Sequence, residues 1–294
     1  MSTYLIEQVE TLTGINAHTL RIWERRYNFL KPARTETNIR FYNDIELVKL
    51  LNVGVLVRNG HKISKIDRMS ELEINDLITD ILSNVSNENE DEINILTKSM
   101  LEMNEVEFNK VFQRRAMRKG LQATITDLIY PFLNQIGMLW GTNKVIPAQE
   151  HFITNLIRQK IIAAIDALPS PVTDAPGICM FLLDGEDHEI GLLLAAYMAS
   201  DLGWKVYYMG QNMPVTNIKE MVEISNPKVL LSMFVTPSSG RTDKFVRSIQ
   251  DQTDIPLLVS GTKDNFINLK MDDKLIHVKS PVELIEQLNK MIER

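Results

Sequence analysis

His188 stands among three acids in the stretch Gly185-Glu186-Asp187-His188-Glu189-Ile190-Gly191, which follows the apolar run Ile178 to Leu183 and leads into Leu-Leu-Leu-Ala-Ala-Tyr-Met. An ordinary strand-to-helix turn needs a cap and at times a glycine. It has no need of an imidazole with a carboxylate two residues ahead of it. A capping or surface histidine would leave the coincident Glu186 and Gly191 unexplained. A second group is Trp140, followed after nine residues by Glu150-His151. Alone, Trp140 could be core and Glu150 could merely favour the positive end of a helix. The sequence shows no nucleophile–base pair and no phosphate-cradling glycine loop. These groups are therefore expected to bind rather than catalyse, and the chain is not expected to be an enzyme.

The elements that must position His188 are legible on both sides of it. Gly177 to Leu183, Lys205 to Gly210, Val229 to Val235, Pro256 to Gly261 and Leu275 to Ser280 read as strands. Helical patterns at 189–202, 215–225, 240–251 and 281–293 alternate with them, and a less regular piece follows Gly261. Such alternation predicts a doubly wound, flavodoxin-like parallel sheet. Ligands of such sheets sit at the carboxyl ends of the strands, near the switch point. The His188 stretch, Ser232 and Ser260-Gly261 all fall at such ends. The structural rival is a phospho-receiver domain, with Lys279-Ser280-Pro281 after the fifth strand. That chemistry needs an acceptor aspartate after the third strand, and Val-Leu-Leu-Ser-Met-Phe-Val-Thr-Pro has none.

Ahead of the sheet, residues 72–82, 93–113, 121–139 and 147–168 have the apolar spacing of amphipathic helices, which predicts a four-helix bundle. The polar stretch 83–92 reads as a loop, Gly141-Thr142-Asn143 as a short turn, and Pro147 as a first-turn residue. At the start of the chain, a helix from Leu5 to Leu12 stops at Thr13-Gly14, and Asn16 can cap a second helix from Ala17 to Arg26. Two short helices joined through a glycine turn are the helix-turn-helix pattern. Leu20 and Trp23 share the core side of the second helix. His18, Arg21, Arg25 and Arg26 remain for phosphates or base edges. Arg40-Phe41-Tyr42 then reads as a wing, and a third helix runs from Asp44 to Asn59.

Charge follows the same partition. Residues 1–68 hold 11 Lys/Arg against 7 Asp/Glu, whereas the remainder holds 21 against 31. A basic head on an acidic body suits a double-stranded DNA-binding module joined to a domain that does not bind nucleic acid. A lone cysteine, Cys179, leaves no internal disulfide and fits a reducing compartment. No apolar run reaches the roughly 20 residues of a spanning helix, and the first residues lack the basic and apolar regions of a signal peptide. A cytoplasmic protein is expected.

Three resemblances follow from these residues. Thr-Leu-Arg-Ile-Trp-Glu-Arg-Arg-Tyr (19–27) and Ile-Arg-Phe-Tyr-Asn-Asp (39–44) resemble the recognition helix and wing of the MerR family of transcriptional regulators, over nearly all of residues 3–68. The resemblance implies DNA contacts, mainly to phosphates, from Arg21, Arg25, Arg40 and Tyr42, and a dimeric regulator. Metal-sensing members carry effector cysteines; here Cys179 lies inside an expected strand, so metal sensing is not expected. Glu186-x-His188-x-x-Gly191, Ser232 and Gly261 resemble the signature of cobalamin-binding modules. In such a module His188 would be the lower axial ligand of cobalt. Glu186 would accept the proton of its other ring nitrogen and so fix tautomer and basicity. Gly191 would let the nucleotide tail approach, and Ser232 would hydrogen-bond the buried benzimidazole.

Head, bundle and module in this order resemble the CarH/LitR/CarA group of B12-dependent photoreceptor repressors. Trp140, Glu150 and His151 would then cap the upper face around a 5′-deoxyadenosyl group. Light would break the cobalt–carbon bond, loosen the dimer or tetramer and release DNA. Three positions depart from the pattern: Ser260 replaces the first of two glycines, Ser232-Met233-Phe234 is a loose form of the serine motif, and Gly141 follows Trp140 where some light sensors carry a histidine. The expected architecture is a winged helix-turn-helix head (1–68), a helical bundle (69–172) and a flavodoxin-like cobalamin module (173–294). Two other functional readings are a corrinoid methyl carrier and a MerR regulator whose module has lost its cofactor.

Overall fold

The computed structural model describes residues 3–27, 29–35, 38–84, 89–141, 146–235, 239–261 and 263–292. The chain divides into two units, Met1–Leu156 and Ile157–Arg294.

The first unit opens with β1 (Thr3–Leu5), α1 (Ile6–Thr13) and α2 (Ala17–Arg26). Helix α1 stops because Gly14 takes φ +70°, a left-handed conformation that costs glycine little. The Asn16 side chain then accepts from the His18 amide at 2.8 Å and starts α2. The strands β2 (Ala33–Arg34) and β3 (Arg40–Asn43) form the wing. β1 was not expected from the sequence. It pairs antiparallel with β3, so the small sheet runs β1-β3-β2. Three residues of the N-terminus are too few to show the period of two that reveals a strand. Next come α3 (Asp44–Arg58), the single turn α4 (Ile63–Ile66) and α5 (Glu71–Asn84). A reciprocal cap between Asn43 and Glu46 sets the start of α3.

The bundle is α6 (Asn89–Leu101), α7 (Glu105–Lys119), a long rod made of α8 (Leu121–Thr124), a π-helical turn (Ile125–Ile129) and α9 (Tyr130–Gly141), and then α10 (Pro147–Asp166). The stretch 93–113, expected as one helix, is two. Met103 takes φ +52°, and Asn104 recaps the chain by accepting from the Glu107 amide at 3.1 Å. The polar residues Asn89 to Glu92, expected in a loop, form the first turn of α6. The π turn has a local cause. Pro131 has no amide to continue the helix, and the Tyr130 amide bonds instead to the Ile125 carbonyl, five residues back.

Helix α6 is enclosed along nearly its whole length, polar residues included: Asp91, Glu92, Asn94, Thr97, Lys98 and Ser99 are all buried. Its first turn is held from two directions. Asp91 receives Arg58 Nε and Asn59 Nδ2, both at 2.7 Å. Glu92 receives Arg115 of α7 at 2.9 Å. Arg58 also donates to the Thr13 carbonyl at 2.9 Å, at the turn that precedes α2.

The second unit contains the C-terminal part of α10 and then β4 (Gly177–Leu183), α11 (Glu189–Asp201), β5 (Lys205–Met213), α12 (Ile218–Ser225), β6 (Val229–Phe234), α13 (Ser239–Gln250), β7 (Leu257–Gly261), β8 (Leu275–His277) and α14 (Pro281–Ile292). The five strands are parallel in the order β5-β4-β6-β7-β8, the flavodoxin-like arrangement. From Ile178 to Leu183, β4 is buried at every residue, as a strand covered on both faces must be.

Candidate functional site

The chain reverses its direction of winding between β4 and β6, and this is where the loop carrying His188 emerges. Glu186 is buried, and its carboxylate has two jobs. One oxygen accepts from His188 Nδ1 at 2.5 Å and lies 3.2 Å from the His188 amide; the other accepts from the Val235 amide, just past β6, at 2.7 Å. One acid therefore bridges the switch point and fixes the imidazole. The His188 side chain remains 56% exposed. A ring with Nδ1 committed to a carboxylate presents Nε2 as its metal-binding atom, and the carboxylate increases the basicity of that nitrogen.

Further contacts brace the loop. The Gln211 side chain donates through Nε2 to the Asp187 carbonyl at 2.8 Å. The Tyr208 hydroxyl donates to Glu189 at 3.0 Å, and Glu189 also pairs with Arg158. Burial, with the Glu189 charge and hydrogen bond, raises the Tyr208 phenol well above its ordinary value, so it stays a donor. Tyr208, Gln211 and Arg158 could not be found from the sequence, because their role depends on the strand beside β4 and on a helix remote in the chain.

Ser232 is completely buried, and its hydroxyl has no hydrogen-bond partner among the described residues. A buried hydroxyl with no partner carries a desolvation cost, which a ligand acceptor would relieve. Gly261 has φ +143°, and a Cβ there would collide with the Phe234 carbonyl, so only glycine fits. At Gly191 a Cβ would lie 2.8 Å from Met233 Sδ. In this structure Gly191 allows α11 to approach the sheet; the expected approach to a nucleotide tail is a separate role. Ser260 pairs in register with Met233, and Ser232 with Val259. Strand alternation therefore places the Ser260 and Ser232 side chains on opposite faces. The Ser260 hydroxymethyl does not crowd the Ser232 hydroxyl.

In the first unit, Glu150 closes the first turn of α10 and His151 follows it, with His151 Nδ1 2.6 Å from Glu150 Oε2 and the imidazole mostly exposed. Trp140 is the penultimate residue of α9; its side chain lies outside the described residues, as do residues 142–145. A cleft of about 580 Å³ between α3 and the α5–α6 pair is lined by Phe29, Val48, Asn75 and Lys98 among others. It contains none of the signature residues.

On the head, His18, Arg21, Arg25 and Arg26 are exposed along α2, as a face for DNA requires. One expected contact changes. Tyr42 is completely buried, and burial pushes its phenol up to about 12. Its ring is core, so the expected DNA contact is corrected. Arg40 is committed to Glu24 of α2, with Nε 2.5 Å from Oε2.

Two family models match the chain, one over the head and one over the helical bundle, and neither reaches the loop carrying His188. Residues 4–73 match the family model described as "MerR HTH family regulatory protein", and residues 92–164 match "B12 binding domain". The chain thus joins a MerR-type DNA-binding domain to a B12-binding domain, the make-up of a transcriptional regulator. It is similar to the HTH-type transcriptional repressor CarH of Myxococcus xanthus, with 25% identity over 76% of each chain. Similarity to the repressor CarA of the same organism is 25% over 88% of this chain and 86% of that one. In fold it resembles the monomethylamine corrinoid protein of Methanosarcina barkeri, with a TM-score of 0.54 and 15% identity over 66% of this chain and 95% of that chain.

Proposed function

We propose that this protein is a repressor whose hold on double-stranded DNA is set by a corrinoid, adenosylcobalamin, and by light. The observation that carries the reading is the Glu186 clamp: a buried carboxylate fixing a solvent-facing imidazole across the switch point. In this reading His188 would hold cobalt, Ser232 would hydrogen-bond the buried base, and the close approach at Gly261 would leave room beside β7. Trp140, Glu150 and His151 would be the residues that meet the group's upper ligand. When bound, such a group supplies a cobalt–carbon bond that light can cleave.

The chain's own task is to turn occupancy into affinity. A ligand shifts assembly only by the difference between its affinities for two arrangements. A coupling of about 1–3 kcal/mol changes DNA affinity about 5–150-fold. The assembly expected is a homo-oligomer, dimer or tetramer according to state, in the cytoplasm.

The test is direct. Purified protein is mixed with adenosylcobalamin in the dark, its spectrum recorded, and its elution from a sizing column compared before and after illumination. A bound corrinoid and a light-dependent elution shift are expected. Binding of methylcobalamin with transfer of the methyl group would replace this reading with a methyl carrier. No binding of any corrinoid would leave a MerR-type regulator with a vestigial module.

A further inference from the structure

We infer that Glu24, on the recognition helix, is a positioning residue that holds the wing in its DNA-binding shape by neutralising two facing arginines. This rests on the reading of the head as a DNA binder. Arg34 of β2 and Arg40 of β3 are direct cross-strand partners. Like charges directly opposite on neighbouring strands repel and destabilise the pair. Glu24 lies between them, with Oε1 2.7 Å from Arg34 Nη2 and Oε2 2.5 Å from Arg40 Nε. Its side chain is only 13% exposed. Arg34 extends the lock by donating through Nη1 to Asn38 Oδ1 at 2.8 Å. Asn38, with φ +66°, belongs to the turn that joins the strands. The carboxylate thus ties α2, both wing strands and the wing turn together. The fork of a guanidinium is suited to such fixed two-point contacts.

Two accounts of the same arginines differ in sign. If Arg34 and Arg40 served as phosphate ligands restrained by an acid, Glu24→Gln would add a net positive charge where DNA lies. Binding would tighten, and the salt slope would steepen by up to about 0.9 for each further phosphate neutralised. If Glu24 is the keystone, the same substitution leaves two cations facing each other, and the wing opens.

The experiment uses the full chain and a duplex selected by the unmodified protein from a random-sequence pool. Affinity is measured across a salt series. Glu24→Gln is expected to weaken binding roughly tenfold without steepening the slope. Adding Arg34→Gln should restore part of the loss although it removes a positive charge. Amide hydrogen exchange over Thr35 to Phe41 should accelerate in the single variant and slow again in the double. Tighter binding by Glu24→Gln, or further weakening by the second substitution, would overturn the inference. If the unmodified protein selects no duplex while wing exchange still responds as stated, the DNA-binding reading fails and the keystone stands.

Discussion

At the residue scale, the site reduces to which proton sits where. Nδ1 of His188 is committed to Glu186, and if Nε2 ligates cobalt as proposed, His188→Ala removes that ligand. Corrinoid binding, followed by the visible spectrum, is expected to fall at least tenfold, roughly 1.4 kcal/mol or more. Affinity for DNA in the absence of corrinoid should stay as it was. Unchanged corrinoid affinity would remove the axial role. His277 lies at the end of β8. Its ring lies 4.7 Å from that of Phe266. Burial lowers its pKa below 6.5, against the raising effect of a hydrogen bond the ring donates to the Gly261 backbone; Lys279 lowers it further and Glu283 raises it. A histidine depressed in the folded state binds its proton more readily when unfolded. Its contribution to stability is present above about pH 6.5 and is lost as pH falls toward the lower folded value. His277→Gln should flatten that part of a plot of melting temperature against pH; an unchanged acid slope would refute the assignment.

At the element scale, sequence and structure part company for identifiable reasons. The recognition helix, the five strands and the His188 loop were legible because each carries a strong local signal: a cap, an unbroken apolar run, or a signature with fixed spacing. The break at Met103 was hidden, because a left-handed methionine has no sequence signature and the apolar period continues past it. Tyr42 was misread for the opposite reason. Its motif was recognised, but β1, the strand directly paired with it, was not. The polar first turn of α6 looked like a loop since its acids are matched by arginines 33 and 23 residues away. Those pairs can be tested. Arg115→Met would leave the Glu92 carboxylate buried without its ion-pair partner, at a cost of about 3–5 kcal/mol. Adding Glu92→Leu should recover much of that in denaturant unfolding. Equal stabilities for single and double variants would show that the pair is not coupled.

At the scale of the whole molecule, each unit has its own core. The first is built around Tyr4, Leu20, Trp23 and Leu50, and the second around Phe181, Leu230 and Val259. Two cores of this kind need not melt together. Trp23 and Trp204 are both buried, one in each unit. Single-tryptophan variants should therefore report denaturation midpoints that do not coincide. Coincident curves would show one cooperative block. The basic head and acidic remainder also predict that added salt weakens DNA binding steeply.

The grip of Arg58 has a consequence for how any message could reach the DNA. One guanidinium holds both the carbonyl at the corner of the reading motif and the carboxylate that opens α6. The head therefore has no private swivel at this point. A variant that displaces α6 would therefore loosen that corner as well, and in the proposed reading this shared guanidinium is a route by which occupancy would be felt at the operator.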